Sequence, residues 1–176
     1  MDTLFPKLPE RLLLGPGPSN VHPRVLEAMS RPLIGHLDPA FLSLMNQTQE
    51  LLRAVFQTNN LMTLPLSGTG SSGMEAAITN FIAPGTSILV AINGVFGGRI
   101  KDCAERAGAV VTTVEAPFGK PLDPNEVADA AAACRPRVIA VVHAETSTGV
   151  LQPLKPFREI CDRQDALLLV DAVTSL

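Results

Sequence analysis

Residues 87–92 read SILVAI, a run in which every residue after the first is apolar. Two more apolar runs follow, VIAVV at residues 138–142 and ALLLV at residues 166–170. None of the three alternates polar with apolar residues, so each run predicts a strand that buries both of its faces. Strands of this kind lie between two layers of helices in a largely parallel sheet. The three runs therefore predict an α/β domain.

Segments with the spacing or the capping residues of helices separate these strands. They predict helices over residues 39–57, 97–107, 124–133 and 154–164, a short helix after Pro23, and a helix that opens at the capping box Ser72–Glu75. Short strands are predicted over residues 61–66 and 110–114. This alternation of strands and helices predicts a three-layer sandwich around a largely parallel (mixed) sheet.

The composition excludes several classes of function. The 176-residue chain has a formal net charge of −3 and contains neither Trp nor Tyr, which argues against nucleic acid as a partner. No apolar run approaches the roughly 18 to 20 residues that a membrane helix needs. The three cysteines and three histidines are widely spaced. We therefore expect reduced thiols, no metal site, no membrane partner and, by default, a cytoplasmic protein.

The stretch Ser67–Gly73, SGTGSSG, contains the pattern G-x-G-x-x-G between a predicted strand and a predicted helix. Glycines allow a ligand to approach the backbone, and a helix N-terminus offers free N–H groups, so this loop is a candidate phosphate site. A glycine-rich turn without a ligand is the alternative. The loop lacks the lysine of a P-loop. A dinucleotide site would need an acidic residue after the next strand, where the chain has Asn93 and Gly94 instead.

Three further features follow the predicted strands at their carboxyl ends, where ligands of such sheets bind. Phe96 lies between glycines after the first run, the polar cluster His143–Gly149 follows the second, and Asp171 follows the third. Each has an ordinary structural alternative: a core Phe, a polar turn, and an Asp that caps a turn. Together with the phosphate loop, however, they fit one ligand, pyridoxal 5′-phosphate (PLP), whose pyridine nitrogen is kept protonated by a carboxylate.

Five stretches of the chain resemble the class V aminotransferases of fold type I, in particular the alanine–glyoxylate and serine–pyruvate aminotransferases. In order, they are LLLGPGPSNVHPRVLEAM (12–29), SGTGSSGMEAAITNFIAPG (67–85), NGVFGGR (93–99), HAETSTGVLQPL (143–154) and LLLVDAVTSL (167–176). The resemblance implies the large domain of the PLP-dependent transferase fold, incomplete at its C-terminus. Residues 1–20 would form an N-terminal arm and substrate-side loop, and residues 21–176 the N-terminal part of the PLP-binding domain.

The resemblance also implies roles for individual residues around the cofactor. Three would bind the phosphate: Thr69, Gly70 and Ser71. Phe96 would stack on the pyridine ring and Val173 would pack on its opposite face. Thr146 would bond near the ring hydroxyl, and Asp171 would pair with the ring nitrogen. Two residues would lie on the substrate side: Gly17 and His36.

The activity implied by the resemblance is the transfer of an amino group from alanine or serine to glyoxylate in a homodimer. The Schiff-base lysine of the family lies downstream of Asp171, and none of the chain's four lysines matches its motif. We therefore expect no catalytic residue within this chain, an inactive fragment, and a longer natural protein.

Three alternatives remain open at this point. The first is another class V PLP enzyme, such as a desulfurase or a phosphonate aminotransferase. The second is a nucleotide-binding oxidoreductase. The third is a binding or regulatory protein without enzymatic activity.

Overall fold

The computed structural model describes residues 8–176, so the first seven residues of the predicted N-terminal arm lie outside the described residues. The chain divides into two compact units, one that ends at Leu64 and one formed by Pro65–Leu176. The boundary predicted after residue 20 stays a prediction. Among the described residues, no helix is both long enough and apolar enough to cross a membrane.

The first unit contains two helices, α1 (Pro23–Met29) and α2 (Pro39–Phe56). Both confirm the sequence prediction. At α2, an Asp38 side-chain oxygen accepts a hydrogen bond from the backbone N–H of Ala40 at 2.8 Å, and Pro39 occupies the first helical position. This pairing of an Asp cap with a Pro explains why the helix begins where it does.

The strand predicted over residues 61–66 is wrong, because the structure has no strand there. The backbone N–H of Thr63 donates to the carbonyl of Leu61 at 2.9 Å, and its hydroxyl donates to the carbonyl of Asn60 at 2.7 Å. These local bonds use a donor that a sheet would need, and Pro65 has no N–H to offer. An apolar run without neighbouring strand partners therefore remains an irregular segment.

The second unit alternates helices with strands. Its elements are α3 (Gly70–Phe81), β1 (Ser87–Ile92), α4 (Val95–Arg106), β2 (Val110–Glu115), α5 (Pro124–Cys134), β3 (Val138–Val142), β4 (Ala144–Glu145), β5 (Val150–Leu151), α6 (Lys155–Gln164) and β6 (Leu167–Asp171). Four strands form a parallel sheet in the order β2-β1-β3-β6, while β4 and β5 form a small antiparallel pair. The predicted α/β class with a largely parallel sheet is confirmed.

Helices cover both faces of the sheet, as the apolar runs predict. On one face, α5 and α6 pack on β1 and β3 through residues that include Val127, Ala131, Phe157, Ile160, Leu89 and Ile139. On the other face, α3 and α4 pack on the same strands through residues that include Ile78, Ile100, Ala104, Ile88, Val90 and Ala140. Successive residues of β1 thus enter opposite cores, since side chains alternate along a strand. The result is a three-layer sandwich.

The start of α3 differs from the sequence prediction. The helix begins at Gly70 and its N-cap is Thr69, whose hydroxyl oxygen accepts from the backbone N–H of Ser72 at 3.4 Å. Ser72 therefore lies inside the helix, and the predicted capping box is wrong. Gly68 has a φ of +156°, and a Cβ there would lie 2.9 Å from Cβ of Ser72. This glycine allows a sharp entry into the helix, so the helix starts earlier than the Ser-x-x-Glu pattern indicates.

Candidate functional site

A cleft of about 590 Å³, including the open space at its mouth, lies in the second unit. Its walls come from the start of α3, the start of α4, the segment after β3 and the end of β6. The lining residues are Thr69, Gly70, Ser71, Met74, Phe96, Val142, Ala144, Thr146, Asp171, Val173 and Thr174. All seven residues predicted to hold the cofactor are among them. Their individual roles stay predictions, but the sheet brings them to one place.

The parallel register explains why residues so far apart in the sequence meet. Val142 of β3 is paired with Asp171 of β6, and Ile92 is the last residue of the neighbouring β1. The carboxyl ends of these strands share one edge of the sheet, so the loops that follow them enclose the same space.

The N-terminus of α3 forms one end of the cleft. The first N–H groups of a helix have no partner within it, and the helix dipole places partial positive charge at this end. A Cβ at Gly70 would lie 3.2 Å from Cγ2 of Val173. Glycine at this position therefore keeps the backbone of the helix start open toward the cleft.

Phe96 enters the cleft from the first turn of α4, where its ring is half-buried. The guanidinium carbon of Arg99 lies 4.8 Å from the centre of the ring, within the range of a cation–π contact. Arg99 is three residues further along the helix, so the two side chains are neighbours on its surface.

The N-terminus of α4 is held from outside the helix. Its N-cap, Gly94, has no side chain to accept a hydrogen bond. Instead the hydroxyl oxygen of Ser147 accepts from the N–H of Val95 at 3.0 Å, and one carboxylate oxygen of Glu145 accepts from Phe96 at 3.1 Å and Gly97 at 3.2 Å. This distant cap explains why α4 begins two residues before the predicted start.

Glu145 was missed as a functional candidate. It is 1% exposed, and its second carboxylate oxygen accepts from the backbone N–H of Ser147 at 3.1 Å and from the hydroxyl of Ser147 at 2.6 Å. The sequence signal was limited to the polar cluster that contains it, because nothing in the sequence relates this carboxylate to a helix start some fifty residues earlier.

Asp171 is the last residue of β6 and is half-buried. One of its carboxylate oxygens accepts from the backbone N–H of Val173 at 3.0 Å, so the side chain does cap a local turn. The residue also lines the cleft. The structural and the ligand-binding interpretations of this Asp are therefore compatible.

Thr146 and Thr174 join two walls of the cleft through a hydrogen bond between their hydroxyl groups. Thr174 was not among the predicted site residues, and neither was Met74 of α3, which also lines the cleft. Both lie within the quoted stretches, but nothing in their spacing distinguishes a lining residue from its neighbours.

Two predicted substrate-side residues, Gly17 and His36, belong to the first unit and are exposed there. Their place beside a substrate stays a prediction. Within residues 8–176, no group of three or more His, Cys, Asp or Glu side chains is arranged to hold a metal ion.

Comparison with known proteins gives a consistent result. The chain matches the model of the family "Aminotransferase class-V" over residues 11–176. It is 43% identical over 168 residues to the (S)-ureidoglycine–glyoxylate transaminase of Bacillus subtilis (strain 168), covering 96% of this chain and 40% of the relative. It is 45% identical over 170 residues to the alanine–glyoxylate aminotransferase of Drosophila melanogaster, covering 96% of this chain and 43% of the relative.

Among solved structures, the alanine–glyoxylate aminotransferase from Nostoc sp. is similar with a TM-score of 0.94 and 52% sequence identity. The match covers 97% of this chain and 45% of that one. The chain thus spans about two fifths of the length of the curated relatives it matches. Because the family model accounts for nearly the whole sequence, the chain belongs to the class V aminotransferases.

Proposed function

We propose that this chain forms part of the cofactor-binding domain of a PLP-dependent aminotransferase that moves an amino group from alanine or serine to glyoxylate. The observation that carries the proposal is the convergence of seven predicted cofactor residues, from four separate stretches, on one cleft. Two relatives that align with 96% of this chain, at 43% and 45% identity, bear the names of glyoxylate transaminases.

The residues of the cleft fit PLP in their chemistry. The start of α3 suits the phosphate, since it combines unpaired N–H groups with hydroxyls from Thr69 and Ser71. A side chain at Gly70 would intrude on the space beside Val173, so this glycine fits a close backbone approach.

When bound, PLP supplies an electron-accepting ring that stabilises negative charge developing on a substrate. The carboxylate of Asp171 would hold a proton on the ring nitrogen, which strengthens that electron acceptance. Phe96 would cover one face of the ring and Val173 the other, so that both exclude water from it. Thr146 would orient the ring by a hydrogen bond, with its own hydroxyl fixed by Thr174.

Glyoxylate as the amino acceptor has the broadest support, because it appears in the names of both curated relatives above. The donor differs between these names. (S)-Ureidoglycine is therefore a third candidate donor beside alanine and serine, and it rests on the 43% identity to the Bacillus enzyme.

The alternative of a nucleotide-binding oxidoreductase has little support. Asn93 lies where a dinucleotide site needs its acidic residue, and it is fully buried. A buried amide cannot reach the ribose of a ligand in an open cleft. A homodimer, by resemblance to the family, and a cytoplasmic location, by default, complete the proposal.

The experiment that tests the proposal uses the complete protein that contains this chain. The protein is incubated with PLP, with and without borohydride, and its intact mass is measured. We expect the mass gain of one reduced pyridoxyl group, mapped by peptide analysis to a lysine outside residues 1–176. Absence of any specific adduct would contradict the proposal and favour a binding protein.

A second assay then assigns the substrates. Alanine, serine and (S)-ureidoglycine are compared as donors to glyoxylate, with glycine formation as the readout. Cysteine and 2-aminoethylphosphonate are included as well. Release of sulfur from cysteine with formation of alanine would reveal a desulfurase, and amino transfer from 2-aminoethylphosphonate would reveal a phosphonate aminotransferase. Glycine formation only from donors outside the first three would contradict the proposed specificity while leaving the cofactor assignment intact.

A further inference from the structure

The first turn of α4 has an unusual source of hydrogen-bond acceptors. Helix starts are normally capped by a residue directly before them, but the cap position of α4 is Gly94, which has no acceptor in its side chain. The N–H groups of Val95, Phe96 and Gly97 all donate to side chains of residues 145–147 instead. The position of this turn thus depends on a loop that is distant in sequence.

We propose that Glu145 is a positioning residue of the cofactor site: its carboxylate holds Phe96 at the wall of the cleft by binding the backbone of the first turn of α4. The inference rests on the proposed function, because the proposed function is what assigns Phe96 a contact with PLP. Glu145 itself is not among the residues that line the cleft, so it acts through Phe96 and is not a catalytic residue.

A carboxylate suits this task better than other side chains. Its two oxygens accept four hydrogen bonds here, from the N–H groups of Phe96, Gly97 and Ser147 and from the Ser147 hydroxyl. An ionised carboxylate accepts without needing to donate, and its bonds are stronger than those of a neutral group. The positive end of the α4 dipole lies directly against it, which favours a buried negative charge at this point.

The geometry of Phe96 explains why its backbone must be held. An aromatic ring at the first turn of a helix moves with any fraying of that turn, because the N–H groups there have no partner within the helix. Glu145 removes this freedom on the backbone side. Arg99, 4.8 Å from the centre of the ring, restrains the side chain.

The test measures the dissociation constant of PLP by equilibrium dialysis of the complete apo-protein, together with the visible circular dichroism of the bound cofactor. For Glu145→Ala we expect an increase in Kd of about tenfold or more, since several charge-assisted bonds are lost together. We also expect an altered dichroism band. As a control, Glu159→Ala removes an exposed carboxylate of α6 and should change neither readout.

Glu145→Gln is the conservative variant. Its amide oxygen can still accept from Phe96 and Gly97 while its NH2 group donates to the Ser147 hydroxyl, so only the bond accepted from the Ser147 N–H is lost. We therefore expect Gln to restore the dichroism band and most of the affinity, to within about threefold of wild type, whereas Ala does not. Equal increases in Kd for the Gln and Ala variants would overturn the inference. The negative charge of Glu145 would then matter, and the hydrogen bonds to the backbone of Phe96, which Gln retains, would not.

A double-mutant cycle asks whether Glu145 acts through Phe96. If it does, Glu145→Ala should increase Kd much less in a Phe96→Ala background than in the wild type. An undiminished effect in that background would overturn the inference and indicate a different route, for example through the loop that carries Thr146.

Ser147→Ala carries the test if Glu145→Ala does not fold. It removes one acceptor for Val95 and one donor to Glu145 while leaving the carboxylate in place. We expect a folded protein with Kd raised about threefold and a changed dichroism band. Wild-type values for both would overturn the inference. Failure of the wild-type protein itself to bind PLP would instead reject the proposed function, so the two failures are distinguishable.

Discussion

Glu145 fills the space that a side chain at residue 94 would need. A Cβ at Gly94 would lie 2.3 Å from Cγ and 2.5 Å from Cδ of Glu145. The φ of Gly94 is 175°, an extended conformation that any residue adopts. Glycine is therefore required here by the nearby carboxylate and not by the backbone. The same contact explains how the carboxylate comes close enough to bind the first turn of α4.

Gly94→Ala should destabilise the protein. The added methyl would overlap Glu145 and displace it from the N–H groups of α4, so we expect a loss of about 1–3 kcal/mol in the free energy of unfolding. Gly98→Ala is the matched control, because a Cβ at Gly98 would meet no atom within 4 Å. Inside a helix that change should stabilise by about 0.5–1 kcal/mol. Urea denaturation of both variants measures the difference, and equal stabilities would contradict the assigned overlap.

Asp171→Asn should abolish most of the proposed activity while keeping the fold. The amide oxygen can still accept from Val173, but it carries no charge to hold a proton on the ring nitrogen. We expect kcat for glycine formation to fall by about a hundredfold to a thousandfold, as when a preorganised electrostatic contact is removed. Asp165→Asn is the control. Asp165 is exposed, and Asn also adopts its φ of 52°. Unchanged kcat in Asp171→Asn would reject the role of this carboxylate.

Phe157→Ala should be among the most damaging substitutions for stability. The ring of Phe157 is 0% exposed between α6 and the sheet, and its removal leaves a cavity there. We expect a loss of about 3–5 kcal/mol in the free energy of unfolding. Phe118, which is 70% exposed, provides the comparison, and its change to Ala should stay within about 0.5 kcal/mol. Thermal and urea unfolding measure the stabilities of the two variants, and equal stabilities would refute this ranking.

The thiol of Cys161 should resist alkylation. Burial raises the pKa of this thiol, and the nearby Asp162 raises the pKa further against the opposing effect of Arg158. A raised pKa in the folded state means that the folded protein keeps the proton when the unfolded chain has lost it. The contribution of the protonated Cys161 thiol to the free energy of unfolding is therefore complete below the unfolded pKa of 9.0. It is lost as pH rises above that value.

Two measurements check this expectation. Iodoacetamide labelling at mildly alkaline pH, followed by peptide mass spectrometry, should modify the half-buried Cys103 and Cys134 before Cys161. Stability of wild type relative to Cys161→Ala should decline as pH passes above about 9. Labelling of Cys161 at the same rate as Cys103 would disprove the burial argument.

The fold could be predicted because its decisive signal is local. The runs SILVAI and VIAVV are apolar at every position after Ser87, and such runs are typical of strands in a sheet covered on both sides. The edge of the sheet then indicates which loops meet, and this brought Phe96, the polar cluster His143–Gly149 and Asp171 into one predicted site. Their individual roles rest on resemblance to the family and still await the experiments above.

The missed features depend on contacts between distant segments. Nothing near Val95 indicates a helix start, because its acceptors lie on Ser147 and Glu145. The capping box at Ser72 is a plausible local pattern, in which Glu75 would accept from the N–H of Ser72. The hydroxyl of Thr69 binds that N–H instead, and Gly68 sets the direction in which the chain enters the helix. Where a cap comes from elsewhere in the fold, or two caps compete, local patterns do not decide the element's start.

The order of the strands also has a consequence for biosynthesis. The ribosome releases Thr69, Phe96 and Thr146 well before β6, yet Asp171 reaches the cleft only when β6 pairs with β3. Until then, the nascent chain has an unpaired edge on β3 and a site that lacks one wall. Unpaired edges of this kind invite association with other chains. The emergence of β6 therefore pairs the edge of β3 and brings Asp171 to the cleft in the same event.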